Sequence, residues 1–131
     1  MHVRWLTRWF GNRGEQAAVR HLKSAGWNII AAQVATRYGE LDIIAQDSDT
    51  IVFVEVKTRR SVLHGQPEEA VDKAKQQRIV RSALAWLKRK GWLERRIRFD
   101  VVSVVWQDDE TPVITHYQHA FEPAGFGQMY S

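Results

Sequence analysis

The spacing of apolar residues along this chain changes several times, and each change marks an element. Across residues 12–25, Ala18, Leu22 and Ala25 fall at i, i+4 and i+7, with Val19 widening the stripe; this is the period of a helix that buries one face. Asn12 is a fair N-cap for it and Gly26 a fair stop. Residues 27–33, WNIIAAQ, read as a strand. Two more are predicted over 37–46 and 51–57, joined by the turn DSDT. Residues 61–69 carry Gly65 and Pro67 and read as a loop. A long helix follows over 71–90, with Val80, Ala83, Leu84 and Leu87 on its apolar stripe and Gly91 at its end. Its other face holds Lys73, Lys75, Arg78, Arg81, Lys88 and Arg89. Residues 97–106 form a further strand and residues 112–121 an edge strand. The order helix, three strands, helix, one or two strands predicts an α/β fold, a mixed sheet covered by helices.

Two of these strands are interrupted by charge. In GELDIIAQDSDTIVFVEVKTRR (residues 39–60), Asp42 and Glu55 sit among Ile and Val. Side chains alternate faces along a strand, so Glu55 and Lys57 share the face of Ile51 and Phe53, while Glu40 and Asp42 share the face of Ile44. A symmetric turn at Ser48–Asp49 pairs positions whose numbers sum to 97. That register sets Ile44 against Phe53, Asp42 against Glu55 and Glu40 against Lys57. Like charges opposed across strands repel, and burial strengthens the penalty. A divalent cation between the carboxylates removes it, and oxygen ligands suit Mg²⁺ or Mn²⁺. Such an ion polarises a phosphoryl oxygen and acidifies a bound water, with Lys57 placed to hold that water. The plainer reading is an ion-pair network of Lys57 with Glu55 and of Glu40 with Arg59 or Arg60. Glu15 also lies at or near the inward face of the first helix. It either closes a capping box with Asn12 or points into a site.

Composition narrows the setting. A chain of 131 residues, 44% hydrophobic, predicts one domain with a real core; its expected extent is 12–122, between a basic aromatic arm at 1–11 and a tail at 123–131. The absence of Cys excludes disulfides and thiolate chemistry. No apolar run spans a membrane, the opening residues are too interrupted by Arg for a signal peptide, and a cytoplasmic protein is expected. A net charge of +4 favours a polyanionic partner such as nucleic acid.

The stretches GNRGEQAA, GELDIIAQDSDTIVFVEVKTRR, HGQPEEAVDKAKQQRI, RFDVVSV and HYQHAF together resemble the YraN family of small bacterial proteins. Through it the chain resembles the PD-(D/E)xK superfamily of restriction-endonuclease-like folds and archaeal Holliday-junction resolvases. The resemblance implies a restriction-endonuclease-like mixed central sheet flanked by helices. It implies Mg²⁺-dependent hydrolysis of DNA phosphodiester bonds, Mn²⁺ substituting, with branched or structured DNA among the substrates and 5′-phosphate and 3′-hydroxyl products. On this reading Asp42, Glu55 and the main-chain carbonyl of Val56 hold the metal, Lys57 is the catalytic lysine, and Glu15 is the helix-borne acid of resolvase-like members. Glu40 belongs to the GE-D pattern. Leu41 replaces the superfamily's Pro, and Gln33 and Ala35 stand where YraN chains carry an Asn and an Arg. Resolvase-like relatives act as dimers, so a homodimer is allowed.

Arg59 and Arg60 follow Lys57 on the same edge and are candidate phosphate contacts. Lys75 and Gln76 contact phosphate or form a solvated basic face, with the solvated face favoured. His64 reads as a solvated loop residue; His116 and His119, three apart on a strand, face opposite ways and make a poor metal pair. Asp100 reads as bonded to a neighbouring backbone or basic group. Two further functions stay open: a non-catalytic nucleic-acid-binding module, and a protein-interaction factor that uses Trp5 and Trp9 of the arm.

Overall fold

The structure, a computed structural model, describes residues 13–60, 71–108 and 110–123. The arm with Trp5 and Trp9, Asn12, the loop residues 61–69 with His64, and the tail after Pro123 lie outside the described residues. Helix α1 spans Arg13–Ser24, followed by strands β1 (Asn28–Thr36), β2 (Gly39–Asp47) and β3 (Thr50–Arg59). Helix α2 covers Lys73–Lys90, and β4 (Arg96–Trp106) and β5 (Pro112–Tyr117) complete the order. The strands form one sheet in sequence order, β1-β2-β3-β4-β5. The β3–β4 pair is parallel and the other pairs are antiparallel; α2 lies in the connection that a parallel pair needs. The expected mixed α/β architecture is therefore observed.

Alternation along the strands divides the core. Ala17, Ala18, Val19 and Leu22 of α1 pack with Ile43, Ala45, Val52, Val54, Val102 and Val104 on one side of the sheet. Ile79, Val80, Ala83, Trp86 and Leu87 of α2 pack with Ile44, Ile51, Phe53, Phe99 and Val101 on the other. Each of the larger aliphatic or Phe side chains contributes roughly 1.5–3 kcal/mol when fully buried, so both faces hold the sheet and neither is a solvent face. Among the described residues, no helix is long and apolar enough to cross a membrane.

Both helices stop by one device. Gly26 (φ +89) and Gly91 (φ +74) take the left-handed conformation, which costs glycine nothing. The Gly26 and Gly91 amides donate to Lys23 and Lys88, and the Trp27 and Trp92 amides donate to Leu22 and Leu87. This double bond closes the last carbonyls of each helix, and each Trp joins the same core side as the Leu it bonds. At the other end of α2, Asp72 caps the helix by accepting from the Lys75 amide at 2.8 Å, so the helix starts two residues later than the pattern predicts. Strand β1 runs three residues further than predicted because it pairs with β2 up to Thr36–Gly39, which leaves Arg37 and Tyr38 as the turn. Strand β5 ends at Tyr117 rather than 121, before a turn in which His119 has φ +52.

Candidate functional site

The β2–β3 hairpin has the predicted register: Asp47–Thr50, Gln46–Ile51, Ala45–Val52, Ile44–Phe53 and Ile43–Val54 are paired. The ladder ends there. Asp42 and Glu55 are not backbone partners, and neither are Glu40 and Lys57. On the other side of β2 the pairs pass from Ala32–Ile43 to Val34–Leu41 without including Asp42. Asp42 thus stands where β2 parts from β3 while its pairing with β1 continues to Gly39. Its Oδ2 accepts from the Val56 amide at 2.9 Å, so a carboxylate takes the place of a ladder carbonyl. The same side chain makes a hydrogen-bonded contact with the Glu55 carboxyl. The two acids therefore meet as predicted, through side chains beyond the end of the ladder.

Two more groups reach this point from the helices. Glu15, in the first turn of α1, is only 7% exposed and accepts from Gln33 Nε2. Gln33 lies on β1 with φ +50, a backbone conformation uncommon outside glycine. From α2, the Lys75 ammonium forms an ion pair with Glu55, itself 7% exposed, and also lies against Lys57. Lys75 is therefore neither on a freely solvated face nor at a strand edge. It is drawn in to a buried carboxylate.

The charges perturb one another. Burial and then the Glu55 charge push the Asp42 carboxyl up to about 8, against the opposing bond from Val56. Burial raises Glu15 as well; its bond from Gln33 opposes this, and Glu40 and Glu55 add to it. Burial and the adjacent Lys75 lower Lys57. Burial would lower Lys75 too, but the bond and charge of Glu55 outweigh it and the net shift is upward. Lys75 pairs with Glu55, and Asp42 stays raised beside the pair. Lys57 has Ser103 of β4 as its parallel register partner, and the buried Ser103 hydroxyl has no hydrogen-bond partner among the described residues.

The remaining predicted residues divide between this end and the surface. Glu40 is exposed at the start of β2, close enough to act on Glu15. Arg59 is half-buried and ends β3, with Arg60 exposed just beyond it. Gln76 turns back to the Val71 carbonyl at 3.1 Å. Sequence reasoning did not put Lys75 on Glu55, nor Ser103 beside Lys57. The first carries no periodic signal, and the second shows only as a Ser among valines in RFDVVSV.

A second polar cluster lies at Asp100, fully buried on β4. Arg98 donates to both its oxygens, at 2.8 and 3.0 Å. His116 Nε2 lies 2.8 Å from Oδ2, and the His119 amide donates to Oδ1. His116 Nδ1 in turn meets His21 Nε2 at 3.2 Å, and Arg98 extends to Asp47 at 3.3 Å. Burial raises the Asp100 pKa, but these donors win and the net shift is downward. Asp100 thus bonds basic and backbone neighbours, as expected.

With this geometry in view, comparison with known proteins places the chain. The family model described as uncharacterised protein family UPF0102 matches residues 14–104. The chain belongs to the UPF0102 family. This bears out the YraN resemblance. A UPF0102 protein of Nocardia farcinica is 50% identical over 111 residues, covering 85% of this chain and 87% of that protein. A UPF0102 protein of Geobacter sulfurreducens is 46% identical over 114 residues, covering 87% and 89%. One from Rhodopirellula baltica is 47% identical over 124 residues, covering 92% and 74%. The UPF0102 match runs from Gly14 to Val104 and so contains Glu15, Gln33, Asp42, Glu55, Lys57, Lys75 and Ser103.

Proposed function

We propose that this UPF0102 protein is a metal-dependent nuclease that hydrolyses phosphodiester bonds in DNA, at the point where Asp42 and Glu55 meet. One observation carries the reading: two carboxylates touch where β2 parts from β3, with a third acid and two lysines around them, and burial together with the Glu55 charge holds Asp42 near 8. A purely structural ion-pair network has no reason to keep that surplus of acid. The donor set fits a hard divalent cation, since every candidate ligand is oxygen. Among the described residues, no three His, Asp or Glu side chains form a metal-holding group. Asp42 and Glu55 would therefore supply the side-chain ligands, with the Val56 carbonyl and water completing the shell. When bound, Mg²⁺ or Mn²⁺ supplies polarisation of the phosphoryl oxygen and a more acidic water.

The chain's own residues supply the rest. Lys57, lowered by burial and by Lys75, would orient the attacking water and exchange a proton with it more readily than an ordinary lysine. Glu15, kept in place by Gln33, would hold the water shell from the α1 side. Arg59 and Arg60, leaving the same strand, would receive the neighbouring phosphates, and the ammonium of Lys75 would face the charge that develops on the scissile one. The test is melting of the full chain with Mg²⁺ or Mn²⁺, beside cleavage of duplex, flap, junction and single-stranded DNA. An ion-dependent rise in Tm that disappears in Asp42→Asn, with cleavage abolished in Lys57→Ala, is the expected result. No rise in Tm and no cleavage of any form would refute the proposal. A second reading, a nucleic-acid-binding module without catalysis, is favoured by the Lys75–Glu55 ion pair, in which an internal ammonium already neutralises one acid. It predicts DNA binding with neither cleavage nor an ion-dependent shift.

A further inference from the structure

The far half of α2 carries a site of a different kind. Where the helix passes beneath the β1–β2 turn, a groove of about 740 Å³ opens. Arg37, Tyr38, Arg81, Lys88 and Arg89 line it, and Leu84 and Leu93 give it an apolar part. Among the described residues, no carboxylate pairs with any of these four cations. In this they differ from Lys75 and Arg98, which are both paired. The Arg37 guanidinium lies 5.2 Å from the Tyr38 ring centre, and Tyr38 and Leu93 are among the few large apolar side chains left exposed. The turn that presents them is fastened. The Thr36 hydroxyl donates to the Gly39 carbonyl, accepts from the Tyr38 amide at 3.1 Å and meets the buried Ser82 hydroxyl of α2 at 2.9 Å. Ser82 sits one residue from Arg81, so the bond ties the turn to the part of α2 that lines the groove.

We propose that this groove binds single-stranded nucleic acid, with phosphates on Arg81, Lys88, Arg89 and Arg37 and a base stacked on Tyr38. Unpaired cations around a concavity follow a polyanionic backbone, and an exposed ring beside them offers the platform an unpaired base needs. A duplex keeps its base faces covered and gains nothing from Tyr38. An acidic peptide would use the cations but not the ring. At 1.5 Å per residue, Lys88 lies about 20 Å along α2 from Lys75, and at about 100° per residue Arg78 and Arg81 wind round the helix from Lys75 towards the groove. The groove would thus take the single-stranded arm of a substrate whose scissile phosphate lies at Glu55. It rests on the nuclease reading for that destination only.

The experiment is fluorescence anisotropy with labelled oligo(dT), oligo(rU) and a duplex of equal length, on the full chain in EDTA so that cleavage plays no part. Wild type should bind at least one single strand more tightly than the duplex; the dT and rU arms separate DNA from RNA. Tyr38→Ala should weaken that binding about tenfold with the salt dependence unchanged. Arg81→Gln combined with Lys88→Gln should reduce the slope of log affinity against log salt by about 1.4, two phosphates' worth. All three positions are exposed, and a melting curve equal to wild type shows that the variants are folded. Tighter binding of duplex, no effect of Tyr38→Ala, or displacement by poly-glutamate as effective as by oligo(dT) would each overturn the proposal. A failure here leaves the ion-dependent melting shift at Asp42 standing, and a failure of that shift leaves the groove measurable.

Discussion

Asp42 and Asp100 stand in apolar strands on either side of β3, yet their surroundings drive their carboxyls in opposite directions. Asp100 is fully buried, but a bidentate Arg98, His116 and the His119 amide surround it. Asp42 has one backbone donor, and its nearest charged neighbour is another acid. Burial alone does not separate them; the identity of the partners does. A carboxylate whose hydrogen bonds are filled by bases has settled its charge within the chain and serves the fold. One that is crowded by acids has not, and a ligand from outside is the natural source of what it lacks. The inference that a perturbed group marks a site is strongest when the perturbation is a deficit of this kind.

Mutation should expose the contrast at both positions. Asp100→Ala leaves the largely buried Arg98 with only Asp47 as its ion-pair partner and takes the carboxylate from His116, and should lower stability by about 3 kcal/mol in urea unfolding at pH 7. A loss under about 1 kcal/mol would mean that the cluster is not structural. Asp42→Asn should do the reverse. The Asn carbonyl still accepts from Val56, its amide donates to Glu55, and the repulsion disappears. Without metal at pH 8 the variant should be more stable than wild type by several kcal/mol.

The two aspartates also differ in the sign of their pH dependence. The raised Asp42 binds its proton more tightly when folded, so its contribution is complete below the ordinary 3.8 and is lost as pH rises towards about 8. Glu15 has the same sign. The lowered Asp100 contributes fully above 3.8 and loses its contribution as pH falls below it. Wild type should therefore lose stability from about pH 4 to pH 8 through Asp42, and Asp42→Asn should flatten that slope. A slope unchanged in Asp42→Asn would assign it to another group. The smallest effect is expected at Gln33. Gln33→Ala removes one bond to Glu15 and should cost about 1 kcal/mol, while raising the Glu15 pKa further, as carboxyl NMR titration would show.

Much of this was readable before any coordinates. The hairpin register followed from a symmetric turn and the period of two, and that arithmetic alone brought Asp42 towards Glu55. Both helix stops were readable because glycine supplies the left-handed residue they need. Lys75 was not readable in its actual role. Helical spacing places it on the polar side of α2, but its contact with Glu55 depends on how the chain returns to the sheet after β3, and no periodicity encodes that. Gln33 was hidden for another reason. Its positive φ breaks the alternation that strand reasoning assumes, and its partner Glu15 belongs to a different element. The end of the ladder at Asp42 was also unreadable, because pairing arithmetic continues past the point where a side chain replaces the backbone acceptor.

That replacement gives the molecule an internal reporter. The Val56 amide donates to an oxygen whose charge depends on pH, on Glu55 and on any cation that the pair captures. Its nitrogen and proton frequencies should follow the state of the acids directly, without added label and without catalysis. A titration of this one peptide group would register an arriving ion even in a protein that never cuts a strand.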